Sequence, residues 1–550
     1  MRKTLMSTFL IVALLAGHMF AQQGVLTPSA TNASLEQGVL GPVVQLVNPL
    51  PPLAQFCSAS PSSADAIDRA ATAITANFNG LSESDGPFRR SGQADTSGSA
   101  GRDAFGEVIN AAIGLFDKRT GRLLCPAQPT AAMWSGTPCA IAAISDAVLK
   151  YDSNGHRWVV GRPGGPMGQA PGSQCIAVSK GEDPTGSWFR YQFPLSIPGI
   201  AAFGDYPKIS IWSNSYTFSA RGRTTVLPTQ VGTAILGDYV LAFDRLAMLA
   251  GRPASAVEFF VTQNPSPNDF FHFLPASAEG VSESSGDSPA PFVERFEGES
   301  DQLAIWELHV DWANPEEAQF VRSGVLEVEP YTSVVPAITQ PAINGVPAQK
   351  LLPGLRSGSV ALMQPLIYRR IGRHESIFGN LTTAVATRAG IHAGIRWFEL
   401  RKSLEGWHVF QQGTYAPADG NDRWLASLNV NKHGDLGMMF NISGPSVFPS
   451  LHYTSRSRLD PLGTLRPEQS LIEGGGSQVG NAAGCLQESD GSTACGFGDY
   501  SQASIDPVDG CTFWMTGEYY PDQAQASIPN FSTRIGSFQF PQCRPADEAK

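Results

Sequence analysis

The 550-residue chain predicts an all-β fold, a β-propeller of seven blades with six or eight as the neighbouring counts, preceded by an irregular N-terminal segment. Three observations carry that expectation. From about residue 95 onward, short runs of β-type residues alternate with turn signals, and no helix-length amphipathic segment interrupts them. Gly (56) and Pro (41) are abundant while charged residues make up only 16%, the composition of many short strands joined by tight loops. A degenerate unit also recurs along the chain.

The runs include Val159-Val160, Ile209 to Trp212, Tyr239 to Phe243, Ile305 to Val310, Ile395 to Leu400 and Ile535 to Phe540. Gly204-Asp205-Tyr206 precedes one alternating strand and Gly498-Asp499-Tyr500 another, while Asp146 leads a third. Hairpin-like loops follow, as in Asp152 to Trp158, Asp117 to Leu123, Asn429 to Leu436 and Asp506 to Trp514. An Asp or Asn side chain bonds such a turn's backbone, Gly takes the positive φ, and the Trp packs between neighbouring sheets. Leads near Asp95, Asp146, Asp205, Asp301, Glu375, Trp424 and Asp499 divide the chain into about seven units of roughly 60 residues. Four strands need about 40. The Pro/Ser/Gly-rich stretches 263–300 and 330–357 then read as insertions in blade loops.

The N-terminus reads as an address. Arg2 and Lys3 precede an apolar run, Leu5 to Gly17, and Ala21 offers a small residue for cleavage, so residues 1–21 are expected to be a signal peptide. That run is too short to span a bilayer, and no later stretch reaches 18 apolar residues, so no transmembrane segment is expected in the mature chain. Residues 22–90 form a Pro/Ala/Ser-rich lead-in with an apolar patch, Val43 to Leu53, and one short expected helix, Ala64 to Ala76. Residues 91–545 form the propeller domain. All eight cysteines lie beyond residue 21 and none forms a CxxC pair, which fits disulfides in a secreted or periplasmic protein better than zinc. Cys485 and Cys495 bracket one loop, and Cys511 and Cys543 flank two strands. A net charge of −11 excludes a nucleic-acid partner, which would demand a basic stripe.

The segments VLKYDSNGHRWVV, CIAVSKGEDPTGSWFRYQF, FGDYPKISIW, HESIFGNLT, GIRWFELR, FGDYSQASIDPVDGCTFWMTGEYY and TRIGSFQF together resemble a family of exported bacterial proteins of uncharacterised function, described as β-propellers. The likeness runs from about residue 90 to 541. It implies secretion and a propeller, and it carries over no catalytic residue. Where related sequences have Arg-Trp before Gly-Asp-Tyr, this chain has Gly496-Phe497. Asp183 to Trp188, preceded by Ser179, resembles the Asp-box hairpin of sialidases, which is a structural turn even in those enzymes.

If the unit-leading residues converge on one mouth of a central channel, Asp95, Asp146, Asp205, Glu375 and Asp499 meet there, with Tyr206 and Tyr500 as aromatic walls. Three such carboxylates suit calcium; two in divided environments suit acid–base work on a glycosidic bond. The plainer alternative is that each acid accepts backbone N–H groups and pins a strand start. His374-Glu375 is a weak acid/base pair, because neighbours on a strand face opposite sides. Arg369, Arg370, Arg396, Arg401 and Arg534 offer an anion clamp, or else pair with acids such as Glu399. Trp397, Trp407, Trp424 and Trp514 offer sugar-stacking surfaces, or inter-blade core. Lone serines such as Ser210 lack a G-x-S-x-G elbow. Two function classes follow: a binding or scaffold protein that uses its central face for a ligand, a glycan or an extracytoplasmic protein, and a glycan-active, sialidase-like hydrolase.

Overall fold

The computed structural model describes residues 39–57, 74–85, 93–141, 146–164, 172–195, 202–224, 234–262, 273–280, 288–296, 299–332, 334–342, 348–352, 361–388, 390–479, 485–487, 491–522 and 531–543. All belong to the compact unit Gly38–Lys550. The expected signal peptide lies outside them.

The described residues are nearly all β. Three strands come first: β1 (Val39–Val47), β2 (Leu50–Leu53) and β3 (Ile74–Ser82). Runs of consecutive, antiparallel strands follow. They are β4–β7 (Ser97–Ala100, Ala104–Ile109, Ala112–Asp117, Gln128–Pro129), β8–β11 (Val148–Asp152, Arg157–Gly164, Ser173–Ser179, Trp188–Pro194) and β12–β15 (Ala202–Ile211, Ser215–Thr224, Ala234–Asp244, Ala254–Val261). Next come β16–β19 (Phe273–Ser277, Ala290–Arg295, Glu299–His309, Gln319–Thr332), the lone β20 (Lys350–Leu352) and β21–β24 (Leu362–Ile371, His374–Thr387, Gly390–Ser403, Gly406–Tyr415). The last are β25–β28 (Asp422–Val430, Leu436–Gly444, Val447–Arg456, Gln469–Ile472), β29 (Leu486–Gln487), β30 (Thr493–Gly496) and β31–β33 (Gln502–Ile505, Phe513–Tyr519, Ser532–Phe538). Strands β20, β30 and β29 make a small separate sheet, and one helical turn, α1 (Arg245–Leu249), follows β14.

The first strand of each run packs against the first strand of the next: β4 on β8, then β12, β16, β21, β25 and β31, and β31 returns to β4. Between β16 and β21 the contact is a short parallel ladder, Ala276 opposite Leu366 and Ser277 opposite Ile367. Five of the expected leads (Asp95, Asp146, Asp205, Trp424 and Asp499) do sit at these first strands. Two do not. Asp301 lies in β18, third in its run, and Glu375 in β22, second in its run. The stretch 263–300, expected to be an insertion, contains β16 and β17.

The N-terminal segment, expected as an irregular lead-in, supplies edge strands. β1 pairs with β15, β2 with β11 and β3 with β33, while the Cys57–Cys125 disulfide ties the segment to the β4–β7 run. Residues 64–73 of the expected helix lie outside the described residues, and Ile74 to Ala76 open β3. Pro42 is tolerated within β1 because it falls where the ladder shifts register, between Leu40 and Val43, on an edge strand. The other three disulfides are Cys139–Cys175, Cys485–Cys495 and Cys511–Cys543; four bridges fit an oxidising compartment. Among the described residues, no helix is long and apolar enough to cross a membrane.

The Trp of one expected hairpin packs between runs, and it does so over glycines. Trp158 of β9 lies on Gly101 and Gly106 of the preceding run, where a Cβ would stand 2.3 and 2.8 Å from its ring atoms. The hairpin turns also form as expected. Asp152 accepts from the Gly155 N–H, Asp117 from Thr120, Asn431 from His433 and Asp506 from Val508.

The first strands are sewn together by serine hydroxyls. Ser99 accepts from the Tyr151 N–H at 3.1 Å, Ser277 from Ile211 at 3.2 Å and Ser504 from Ala100 at 3.0 Å, while Ser210 donates to the Pro275 carbonyl at 2.8 Å. Ser427 of β25 spans three strands, accepting from Ala503 of β31 at 2.8 Å and donating to Gln364 of β21 at 2.8 Å. Replacing Ser427→Ala leaves a buried N–H and a buried C=O without their partner, so we expect a loss of about 1–3 kcal/mol. That loss is readable as a lowered thermal midpoint; an unchanged midpoint would show that these seams are held by something else.

Candidate functional site

Four of the first strands carry a left-handed residue just before them, Asp95 (φ 45°) and Asp146 (63°), or in their first half, Tyr206 (56°) and Leu425 (49°). Each stands two positions before a residue of the strand face, namely Ser97, Val148, Lys208 and Ser427. At Tyr206 and Leu425 the ladder shifts register at this point. Aspartate tolerates this conformation; for Tyr and Leu it costs roughly 1–2 kcal/mol, so the surroundings must hold it.

Those surroundings are a buried polar cluster. The Tyr206 and Tyr500 rings lie 4.8 Å apart, and the Lys208 Nζ sits over both, 3.1 and 3.8 Å from their centroids. Tyr206 donates its hydroxyl to the Asp499 carbonyl at 3.1 Å, and Tyr500 donates to Asp146 Oδ2 at 3.4 Å. Asp95 accepts the Asp499 N–H at 2.7 Å and the Asn110 amide at 2.6 Å, and Asn110 Oδ1 in turn accepts the Asp146 N–H. The structure therefore brings together five predicted residues, Asp95, Asp146, Tyr206, Asp499 and Tyr500. Asp205 is next to Tyr206 in β12, opposite Arg221 of β13.

Glu375 is elsewhere. It pairs opposite Arg370 at the β21–β22 turn, eight residues along β21 from Leu362, which borders the Tyr206–Lys208 cluster. At about 3.3 Å per residue that is roughly 26 Å. Its carboxylate serves Tyr368, whose hydroxyl is raised in pKa by burial and then by Glu375. Glu375 is not the lead of this run, which begins with Leu362-Met363-Gln364-Pro365 and carries no acid there.

Burial dominates the electrostatics. It pushes the Asp95 carboxyl well above the usual range, with the charges of Asp499 and Asp146 adding to the effect. It raises the Tyr206 and Tyr500 hydroxyls and pulls the Lys208 ammonium well down, against the opposing pull of Asp146 and Asp499. Beside the cluster is a void of ≈ 10 Å³ lined by Lys208, Asp238 and Leu362, room for about one water and far below a substrate pocket.

The far ends of the first strands carry a second buried set, of which only Arg369 was expected to matter, as part of an anion clamp. The Lys150 ammonium pairs with Glu279 at 3.0 Å. Arg369 donates to the carbonyls of Glu279 and Val430 and to Asn429 Oδ1, each at 2.7 Å. The other arginines do not form an anion clamp with it. Arg396 bonds the Glu329 carbonyl and Thr414, Arg401 pairs with Glu399 at 2.7 Å, and Arg534 bonds Asn77. Trp397, Trp424 and Trp514 are buried core, while Trp407 is partly exposed. Asp183 accepts from the N–H and hydroxyl of Thr185, a structural turn ahead of buried Trp188.

Lys208, Asn110 and Glu107 were also missed. Lys208 had a signal, since two residues after Tyr206 on a strand means the same face. Glu107 of β5 is fully buried where the first and last runs meet, and it accepts from Leu81 of β3 at 2.7 Å, from Thr533 at 2.9 Å and from Thr516. Burial holds its carboxyl up to about 7, from an ordinary 4.5, although those three donors oppose the shift. The folded chain thus keeps a proton that the unfolded chain releases near 4.5. Stability falls as pH rises through the 4.5–7 window, by on the order of 3 kcal/mol. We expect Glu107→Gln to raise the thermal midpoint at pH 8 and to leave it nearly unchanged at pH 4.5. An equal effect at both pH values would contradict the assigned proton.

No family model and no curated protein matches the chain. Among solved structures, it is similar to an ulvan lyase of polysaccharide lyase family PL25 (10% identity, 88% of this chain and 95% of that one, TM-score 0.38). It is also similar to a protein of unknown function from Dyadobacter fermentans (11%, 72% and 94%, TM-score 0.32) and to an endo-arabinase from Bacteroides thetaiotaomicron (11%, 60% and 98%, TM-score 0.25). Likeness at this level carries no inference about activity.

Proposed function

We propose that the chain is an exported, seven-bladed β-propeller that works as a binding or scaffold protein. The observation that supports this most is the circuit of first-strand contacts, β4 through β31 and back to β4. In this reading the seven runs are blades, their first strands line the axis, and β3 completes the last blade as its fourth strand, locking the two ends of the ring together. Closure removes the open sheet edges that would otherwise invite aggregation.

The same geometry favours binding over hydrolysis. A glycosidase needs two carboxyl groups facing a substrate pocket; here Asp95 and Asp146 face Asn110, Asp499 and Tyr500 inside the protein. A calcium ion at this end would be held by Asp95, Asp146 and Asp499, but the Lys208 amino group stands against the ring pair among them. We assign the cluster the task of fixing the blade entries, with Lys208 in the place a cation would take. Its members come from four different blades, those that begin with β4, β8, β12 and β31, so it also sets their mutual register.

Two measurements test this. The thermal midpoint is expected to be the same with and without EDTA; a drop that added calcium reverses would return the cluster to a cation site. A panel of chromogenic glycosides is expected to remain intact, and turnover that disappears in Asp146→Asn would make the chain a hydrolase.

A further inference from the structure

A cleft of ≈ 760 Å³ lies between the β12–β15 and β16–β19 runs, at the far end of β12 from Tyr206. Its volume falls in the range of ligand sites, whereas the void beside the central cluster holds about one water. Four segments build it: the start of β13, Leu246 of α1, the residues leading into β17, and the stretch from the end of β18 to the start of β19.

Its wall is Trp312, half-buried and held from two sides. The indole N–H donates to the Asn214 carbonyl at 2.9 Å. The loop carrying the ring is locked by Asp311, whose carboxylate accepts from the Ala313 N–H and the Asn314 amide, both at 2.9 Å. An aromatic ring whose polar edge is already satisfied is a rigid, apolar platform. The lining includes Thr217, which is fully buried, and its Oγ1 has no hydrogen-bond partner among the described residues. An unmatched buried hydroxyl is costly, and what matches it best is a group that both donates and accepts, as another hydroxyl does. At the rim stand the exposed carboxylates of Asp311 and Glu317 and the amide of Gln319. Carboxylates accept from hydroxyl pairs and repel anions.

We propose that this cleft binds a neutral saccharide: one sugar face on Trp312, one hydroxyl on Thr217 Oγ1, and further hydroxyls on the acidic rim. The proposal rests on the binding-protein reading and gives it a ligand class and a place, away from the axis. Uronic and sialic acids are disfavoured by Asp311 and Glu317.

The test is direct binding of the whole chain to labelled neutral trisaccharides (gluco, manno, galacto and xylo series), beside oligogalacturonate and oligolysine. At least one neutral series is expected to bind. Trp312→Ala is expected to weaken it tenfold or more. Thr217→Val, which keeps the side-chain volume, is expected to weaken it several-fold while leaving the thermal midpoint unchanged or raised, because its hydroxyl bonds nothing among the described residues. Failure of every neutral series, preferential binding of oligogalacturonate or of oligolysine, or neutral binding indifferent to both variants would overturn the cleft assignment. These outcomes differ from glycoside turnover, which would instead overturn the binding-protein reading itself.

Discussion

The structure depends on how strands that share no ladder are kept side by side. Except for the short β16–β21 pair, the first strands of neighbouring runs do not exchange backbone hydrogen bonds as a sheet. Serine hydroxyls do the joining, each accepting a backbone N–H or donating to a carbonyl across the seam, with Ser427 reaching both of its neighbours. A hydroxyl suits this role because it both donates and accepts and is short enough to keep the strands close. Ser97, Ser99, Ser210, Ser277, Ser427 and Ser504 are all buried. The serines that lacked any hydrolase motif are thus explained by architecture.

The two ends of these strands are then closed by different chemistry. At the entry end, two tyrosines and three aspartates bond one another around the Lys208 amino group, which lies over the tyrosine rings; at the far end, Glu279 is held by Lys150 and Arg369. A buried charge is tolerable only when it is paired and hydrogen-bonded; Lys150 has its partner in Glu279, whereas at the entry end burial pulls the Lys208 amino group toward its neutral form over the two tyrosine rings. Groups that would do chemistry in an open channel are consumed internally, and the cleft of ligand size opens between two runs instead.

Much of the fold was legible. Asp95, Asp146, Asp205 and Asp499 marked four of the first strands and Trp424 a fifth, although in two of them the left-handed residue is the neighbouring Tyr206 or Leu425. The entries at Phe273 and Leu362 were missed, since Leu274-Pro275 and Gln364-Pro365 carry no acid. The N-terminal strands had no local signal at all: β1 finds its partner more than two hundred residues later, in β15. Local loop closure pointed to Cys485–Cys495 and a flanking strand pair to Cys511–Cys543, whereas Cys57–Cys125 depends on where the N-terminal strands run. Convergence of Asp95, Asp146, Tyr206, Asp499 and Tyr500 followed from the repeat. Their burial did not, because periodicity says which residues align and not how tightly they pack. The cleft could not be read either, as its lining comes from four separated segments.

Hydrogen exchange, followed by mass spectrometry on peptides covering the first strands, probes the circuit most directly. Peptides from β4, β25 and β31 should exchange together, only through global opening, and far more slowly than those from the edge strand β1. If β31 and β4 instead exchange early and independently of each other, the first strands do not form one closed cooperative unit.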